Sequence, residues 1–482
     1  MRWCTSNFIC RFLHRHTLAI SAFFIILVCV NQVLHFKRSA SPTCYQIVSP
    51  FISIQSNHTH NVNNNRSFSS NDAKAIPPAI HWSQGRLDNR RMLKIYEWVW
   101  AGSLWEELMN RFNVCLATQG SIDRIASIGE VSEKWLGPIS LAVYIRTSDE
   151  WIILNLFNIY MQRCSALFTQ TVSIHVAVPV NYEPMNSPND SSRFEFSPWY
   201  DHPCGQPSEF LSLLMKKLLP DGIDQGALYP QNHMRNIARK TCTTSWVFMT
   251  DVDIIPRPNS SLLLQEFYES PSSKCSKCAF VIPVYELERS ARYPETKRQL
   301  IDYANSGLAR QFHLKIYRFG HWATNYSMWV STYIEEGPVQ ISHMVDPRMN
   351  HYEPFYVSSD VIPAHDERFI GYGFTRSSQV LEARVTGWKF LVLTPIFAIH
   401  WGLQTPQSLR QPILRTPQQI AQIRMRGYSF GANPRKSQNS HNHIVYTDFV
   451  AELMAKKNIS VARHRKKSIQ QQRKDLRNLR TG

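Results

Sequence analysis

The stretch SWVFMTDVDIIP, residues 245–256, carries more structural information than any other part of the chain. Ser245 to Met249 is a short apolar run, the pattern of a strand buried on both faces. It runs straight into Asp251 and Asp253, two carboxylates one residue apart. In an extended chain, residues i and i+2 project the same way. Two hard oxygen ligands placed so can hold one divalent ion and leave positions for diphosphate oxygens. Sixteen aspartates in 482 residues make about half a D-x-D by chance. The spacing alone is therefore weak. Its place at the carboxyl end of a strand adds weight, because ligands of open α/β sheets bind there.

Working outward, segments alternate in type. Ile139 to Arg146, Thr171 to Val178 and Ala279 to Val284 have buried-strand patterns. So do Trp388 to Leu393 and Ile396 to His400, separated by Pro395. Asp149 to Arg163 spaces Trp151, Leu154, Phe157 and Met161 as a helix does, with Asp149 as a candidate cap. Asn232 to Lys240 also reads as a helix. This order predicts an α/β domain with a mixed, largely parallel sheet over residues 86–457.

Composition bounds the rest. Hydrophobic residues make 43% of the chain and charged residues 18%, which supports a sizeable core and excludes wholesale disorder. The net charge is +17, but from Lys456 onward there are ten Lys or Arg and one acid, Asp475. More than half the excess, +9 of +17, therefore lies from Lys456 to the end, mostly in the tail of residues 458–482, so the body carries no nucleic-acid signature and no nucleic-acid partner is expected. Thr17 to Phe36 is the one run long and apolar enough to cross a bilayer, which takes about 20 helical residues. Arg2, Arg11 and Arg15 before it favour a cytoplasmic residue 1–16 tail and a single-pass type II anchor, with a cleaved signal peptide as the rival. Residues 37–85, rich in Ser, Asn and His, read as a stem. Sequons at Asn57, Asn65, Asn189, Asn259, Asn325 and Asn458 agree with a lumenal body. Seven cysteines lie beyond the anchor; an oxidising lumen would pair most and leave at least one over. Cys275 and Cys278 lack a second pair at zinc spacing and read as a disulfide.

Several stretches, in order, resemble glycosyltransferase family 49. They are residues 232–238 and 245–256, Tyr352 to Val357, Asp366 to Phe374, and Phe397 to His400. Residues 320–326 and 441–446 resemble its glucuronate-transferring branch. The resemblance covers roughly residues 90–455. It implies a GT-A fold in the Golgi membrane, a divalent cation (usually Mn2+, manganese), and UDP-glucuronate as donor. It also implies inversion at the sugar carbon, with xylose on the O-mannosyl glycan of dystroglycan as acceptor. It places Asp251, Asp253 and His400 at the metal, and Arg235 and Asn236 beside the nucleotide. It makes Asp366 the base that takes the acceptor's proton, with Glu367 as the substitute. Arg376 is a candidate partner of the donor carboxylate, and Tyr352 and Glu353 are candidates for the acceptor pocket. Two other readings remain: a family-49 transferase making β-1,3-glucuronyl or N-acetylglucosaminyl links, and a catalytically dead lumenal sugar-binding protein.

Overall fold

A computed structural model describes residues 82–181, 197–220, 222, 228–332, 336–346, 351–406 and 434–457. The expected anchor, most of the stem and the basic tail lie outside these residues. Among the described residues no helix is long and apolar enough to cross a membrane.

The strands are β1 (Arg86–Leu87), β2 (Leu93–Trp100), β3 (Val114–Ser121), β4 (Ile139–Tyr144), β5 (Val172–Pro179), β6 (Trp246–Met249) and β7 (Ile254–Pro256). They continue as β8 (Cys278–Val281), β9 (Val284–Leu287), β10 (Ala309–Gln311), β11 (Gln340–Met344), β12 (Tyr356–Ser358), β13 (Lys389–Thr394) and β14 (Ala398–Trp401). Ten form one sheet, in the order β1-β2-β5-β4-β3-β6-β12-β8-β13-β11, and four form a second, β10-β9-β14-β7. In the large sheet β3/β4, β4/β5, β3/β6 and β8/β13 run parallel. The other neighbours, β1/β2, β2/β5, β6/β12, β8/β12 and β11/β13, are antiparallel. The sheet is mixed, as expected, but not largely parallel. β12, which enters between β6 and β8 against both and whose three residues give no periodicity to read, accounts for two of the five antiparallel pairs; the rest come from β1 and β2 at one edge and β11 at the other.

The expected strand at 279–284 is two strands, because Pro283 has no N–H to give a ladder. Ile282 donates instead to Phe355 O at 3.0 Å, and the chain leaves one sheet for the other. Pro395 separates β13 from β14 at a second such crossing. The third crossing, from β6 to β7, is Thr250-Asp251-Val252-Asp253.

The helix Ser148–Cys164 covers the expected span, and Trp151, Leu154, Phe157 and Met161 are buried. Its cap is Thr147 rather than Asp149. Thr147 is the last extended residue, and its hydroxyl accepts from Glu150 N at 3.1 Å. The helix Gln231–Lys240 packs on the opposite cluster, through Met234, Ile237 and Ala238. Cys115 in β3 is bonded to Cys242 just past that helix; Cys164 pairs with Cys204, and Cys275 with Cys278. Cys44, the seventh, lies outside the described residues. Asn259 and Asn325, two of the six sequons, are exposed.

The helix Pro434–Lys456 braces residues 366–374. The Asn442 amide, fully buried, donates to the carbonyls of Ile370 (3.1 Å), Tyr372 (3.1 Å) and Gly373 (2.9 Å). Phe369, Leu381, Phe449 and Leu453 form the apolar contact behind it. Gly371 (φ 75°) and Gly373 (φ 102°) take left-handed conformations that only glycine adopts without strain.

His175 in β5 fills a register break in the β2/β5 ladder, where Trp98 has φ 59°. Trp98 N–H donates to His175 Nδ1 at 3.0 Å, and the ring is fully buried. Burial pushes its pKa down to about 3 from 6.5. A lowered histidine pKa stabilises the fold above 6.5 and loses that contribution as pH falls towards 3. Between pH 7 and pH 5 the loss is about 2 kcal/mol. Asparagine keeps an acceptor near Nδ1 but does not titrate. His175→Asn should therefore lose less stability over that interval than the parent, by about 2 kcal/mol, in denaturant titrations at the two pH values. Equal losses would refute a neutral His175.

Candidate active site

The D-x-D segment is a tight turn rather than a continued strand. Ile254 N–H donates back to Asp251 O at 3.0 Å, so the pleat argument for two carboxylates on one side does not hold. The turn between the sheets brings the side chains out instead, with Asp251 30% and Asp253 33% exposed. Val252 points inward and is buried. A Cβ on Gly120 would lie 3.1 Å from it, which explains the glycine near the end of β3.

Three donors converge on one oxygen of Asp251. Gln119 Nε2 reaches Oδ1 at 3.0 Å, Arg376 Nη2 at 2.9 Å and Arg235 Nη2 at 3.3 Å. None of them takes Oδ2. Burial alone would raise the Asp251 carboxyl, but Arg376 and Arg235, with the Gln119 and Arg235 hydrogen bonds, hold it well below the carboxylate range. Both guanidiniums are nearly inaccessible. Arg235 also donates to Asn232 Oδ1 (3.0 Å) and Thr375 Oγ1 (3.3 Å). Arg376 lies over the Phe355 ring at 4.3 Å and reaches Pro354 O at 3.5 Å. The fork expected to meet a donor carboxylate is thus partly committed to Asp251. Gln119 in turn accepts from the Tyr229 hydroxyl.

Asp253 Oδ2 is 3.8 Å from His400 Nε2 and 3.8 Å from Arg124 Nη1. His400 pairs across from Ile254 in the small sheet, which places it beside the turn. Its ring also meets Gln404 Nε2, 3.0 Å from Nε2. Oδ2 of Asp251, Asp253 and His400 make a carboxylate–imidazole donor set that suits a divalent cation such as Mn2+. They are not drawn together within 4.8 Å as a preformed cage.

Beyond His400, Phe312 separates it from His321, with ring centroids 5.4 and 4.9 Å away. His313 stacks on Phe312 at 3.8 Å. Burial, then the charge of His400, pushes His313 down to about 4. Glu353 is also drawn into the cluster. Burial raises its carboxyl, against the pull of Arg376, Arg235 and a Ser377 hydrogen bond. Tyr352, in contrast, is a core residue whose hydroxyl meets Thr324 at 2.9 Å. Gln119, Tyr229, His313 and Gln404 carry no local sequence signal; only the fold assembles them.

Asp366 and Glu367 lie eleven and ten residues before the helix Ser377–Val385, at a turn. The Asp366 carboxylate is held by Arg368: Oδ1 accepts from its backbone N–H (2.9 Å) and Nε (3.1 Å), and Oδ2 from Nη2 (2.7 Å). Glu367 Oε1 accepts from Asn236 Nδ2 at 3.0 Å. Asn236 also exchanges two bonds with the His365 backbone (2.8 and 3.0 Å), so it splints this segment to the helix.

Residues 113–427 match the family described as "Glycosyl-transferase for dystroglycan". The chain belongs to that family. The match contains β3, the Asp251–Asp253 turn, Glu353, Asp366 and His400, so the family frame and the cluster coincide. This family-49 chain is 28% identical over 375 residues to beta-1,4-glucuronyltransferase 1 of Homo sapiens, covering 78% of the chain and 82% of that protein. The Danio rerio protein of that name is 25% identical over 299 residues, 61% of the chain and 67% of the relative. Xylosyl- and glucuronyltransferase LARGE1 of Homo sapiens is 23% identical over 298 residues, 61% of the chain but 32% of the relative.

Removing one partner of a buried ion pair strands the other charge. Arg376→Met in metal-free protein should lower unfolding free energy by about 3 kcal/mol, the low end for such pairs because Asp251 keeps some solvent. Denaturant unfolding in chelator measures this. An unchanged midpoint would mean that Arg376 does not neutralise Asp251.

Proposed function

We propose that the chain is an inverting, metal-dependent transferase that moves glucuronate from UDP-glucuronate to a xylose acceptor, forming a β-1,4 link. We place it in O-mannosyl glycan synthesis on dystroglycan-like proteins, in the Golgi membrane with the catalytic part lumenal. The observation that carries the reading is Asp251, with one oxygen fixed by three donors and the other left for a ligand, in the turn between the two sheets. The likeness to beta-1,4-glucuronyltransferase 1 over most of both chains supports the sugar and the link. A divalent cation held by Asp251, Asp253 and His400 would neutralise diphosphate charge as UDP leaves. The protein's own groups do the rest. Arg235 and Arg376 fix Asp251 and supply positive charge nearby. A carboxylate takes the acceptor's hydroxyl proton, the oxygen bonds to the sugar carbon, and the bond to UDP breaks on the opposite face.

A second reading, another UDP-sugar at the same site, draws on the likeness to xylosyl- and glucuronyltransferases. The dead-protein reading has to explain an intact acidic turn. A panel of UDP-sugars with a xyloside acceptor, and product linkage by NMR, tests all three. Transfer of a different sugar selects the second reading, and no transfer from any donor selects the dead one.

Asp253→Asn replaces an anionic oxygen with a neutral one. Manganese-dependent UDP affinity in calorimetry should fall at least about tenfold, about 1.4 kcal/mol, with metal-free affinity unchanged. Unaltered manganese dependence would remove Asp253 from the metal shell.

Two carboxylates compete for the base. The resemblance points to Asp366, whose oxygens Arg368 occupies; Glu353 is favoured by a carboxyl already raised by burial, as a proton acceptor requires. Loss of a base costs about 10²- to 10⁴-fold. Glu353→Gln should lower kcat in that range while UDP affinity holds, and Asp366→Asn should lower the thermal midpoint more than kcat. The reverse pattern assigns the proton to Asp366.

A further inference from the structure

A second set of ligand-type side chains lies apart from the Asp251–Asp253 turn. Asp88 comes from the loop before β2, His233 from the first turn of the helix Gln231–Lys240, and Glu367 from the turn after Asp366. One ligand atom of each lies within 4.8 Å of the others, the one such group among the described residues. His233 is 1% exposed, and neither ring nitrogen has a hydrogen-bond partner among the described residues. Its Nε2 is 3.4 Å from Asp88 Oδ2 and 3.7 Å from Glu367 Oε2.

The carboxylates are held from behind. Asp88 Oδ1 accepts the N–H groups of Met92 and Leu93, both at 2.6 Å, and Oδ2 accepts only Arg90 N–H at 3.0 Å. Glu367 Oε1 is engaged by Asn236, which leaves Oε2 towards the imidazole. Such outer hydrogen bonds orient the ligands of metal sites.

Two species could sit among these groups. One is a proton on His233, giving a buried imidazolium between two carboxylates. Burial opposes it and lowers the His233 pKa, with Arg90 adding to the fall, while Glu367 and Asp88 pull the other way. The other is a cation. Neighbouring ligands on a tetrahedral ion with bonds of about 2.0–2.1 Å lie about 3.4 Å apart. The observed 3.4 and 3.7 Å from His233 need only slight closure, and the two carboxylates lie within 4.8 Å of each other. Two carboxylates and a neutral imidazole also balance a dication, which a buried site requires.

We propose that Asp88, His233 and Glu367 bind a divalent cation of the zinc class, separate from the Asp251–Asp253 turn. The ion fastens the loop before β2 and the Asp366–Glu367 turn to one helix. That helix carries Arg235, which touches Asp251, so the ion is a positioning element and not a reactant.

The full chain carrying Asp253→Asn is stripped with chelator, dialysed against zinc or manganese, and assayed for bound metal by mass spectrometry and for thermal midpoint. Zinc should be retained, with a midpoint rise of about 2 °C or more. His233→Gln and Glu367→Gln, each added to that background, should bind one equivalent fewer and lose the rise. If His233→Gln does not fold, Glu367→Gln carries the comparison, its side chain being 17% exposed. No zinc in the Asp253→Asn chain, or equal zinc in the added variants, overturns the site.

Discussion

Oδ1 of Asp251 joins parts of the chain that are far apart in sequence. Gln119 ends a central strand, Arg235 sits on a helix, and Arg376 leads into another helix near the end of the fold. Each alone would be costly. Two buried guanidiniums repel, and a carboxylate leaving water must find compensation. Together they approach balance, with Glu353 the second acid. The turn between the two sheets is thereby fixed by charge as much as by packing.

The three crossings from the large sheet to the small one show how the chain places this turn. β6, β8 and β13 are side-by-side members or near neighbours in the large sheet, and their continuations β7, β9 and β14 lie together in the small one. Proline marks two of the crossings, at Pro283 and Pro395, where a ladder must stop. The third has no proline and carries the aspartates. Polar side chains are tolerable there because the backbone is leaving the sheet and no longer needs an apolar face.

Much of this was legible beforehand, for reasons tied to particular residues. The buried runs of β4 and β5 and the helix Ser148–Cys164 are long and strongly patterned, so local pattern and tertiary burial agree. β12 was not legible, because three residues are too short for any period, and its two antiparallel pairs are part of what keeps the mixed sheet from being largely parallel. The acidic turn was found from its spacing, yet its geometry was misjudged: a hydrogen-bonded turn replaces the pleat. The resemblance gave Asp366 the role of base, and the residues that surround its carboxylate were not legible. Arg368, two residues on, binds it on both oxygens, and side-chain pairing of that kind has no sequence signature. Gln119 and His313 reach the cluster only through the fold.

The brace formed by Asn442 has a genetic consequence. Every carboxylate, guanidinium and imidazole in the cluster is encoded by codon 404, yet the segment containing Asp366 is held by a helix that ends at Lys456. A nonsense codon between these points would spare all the chemistry and remove its support. Such alleles should behave as losses of folding, with little protein accumulating, and missense changes at Asn442 should be milder members of the same class.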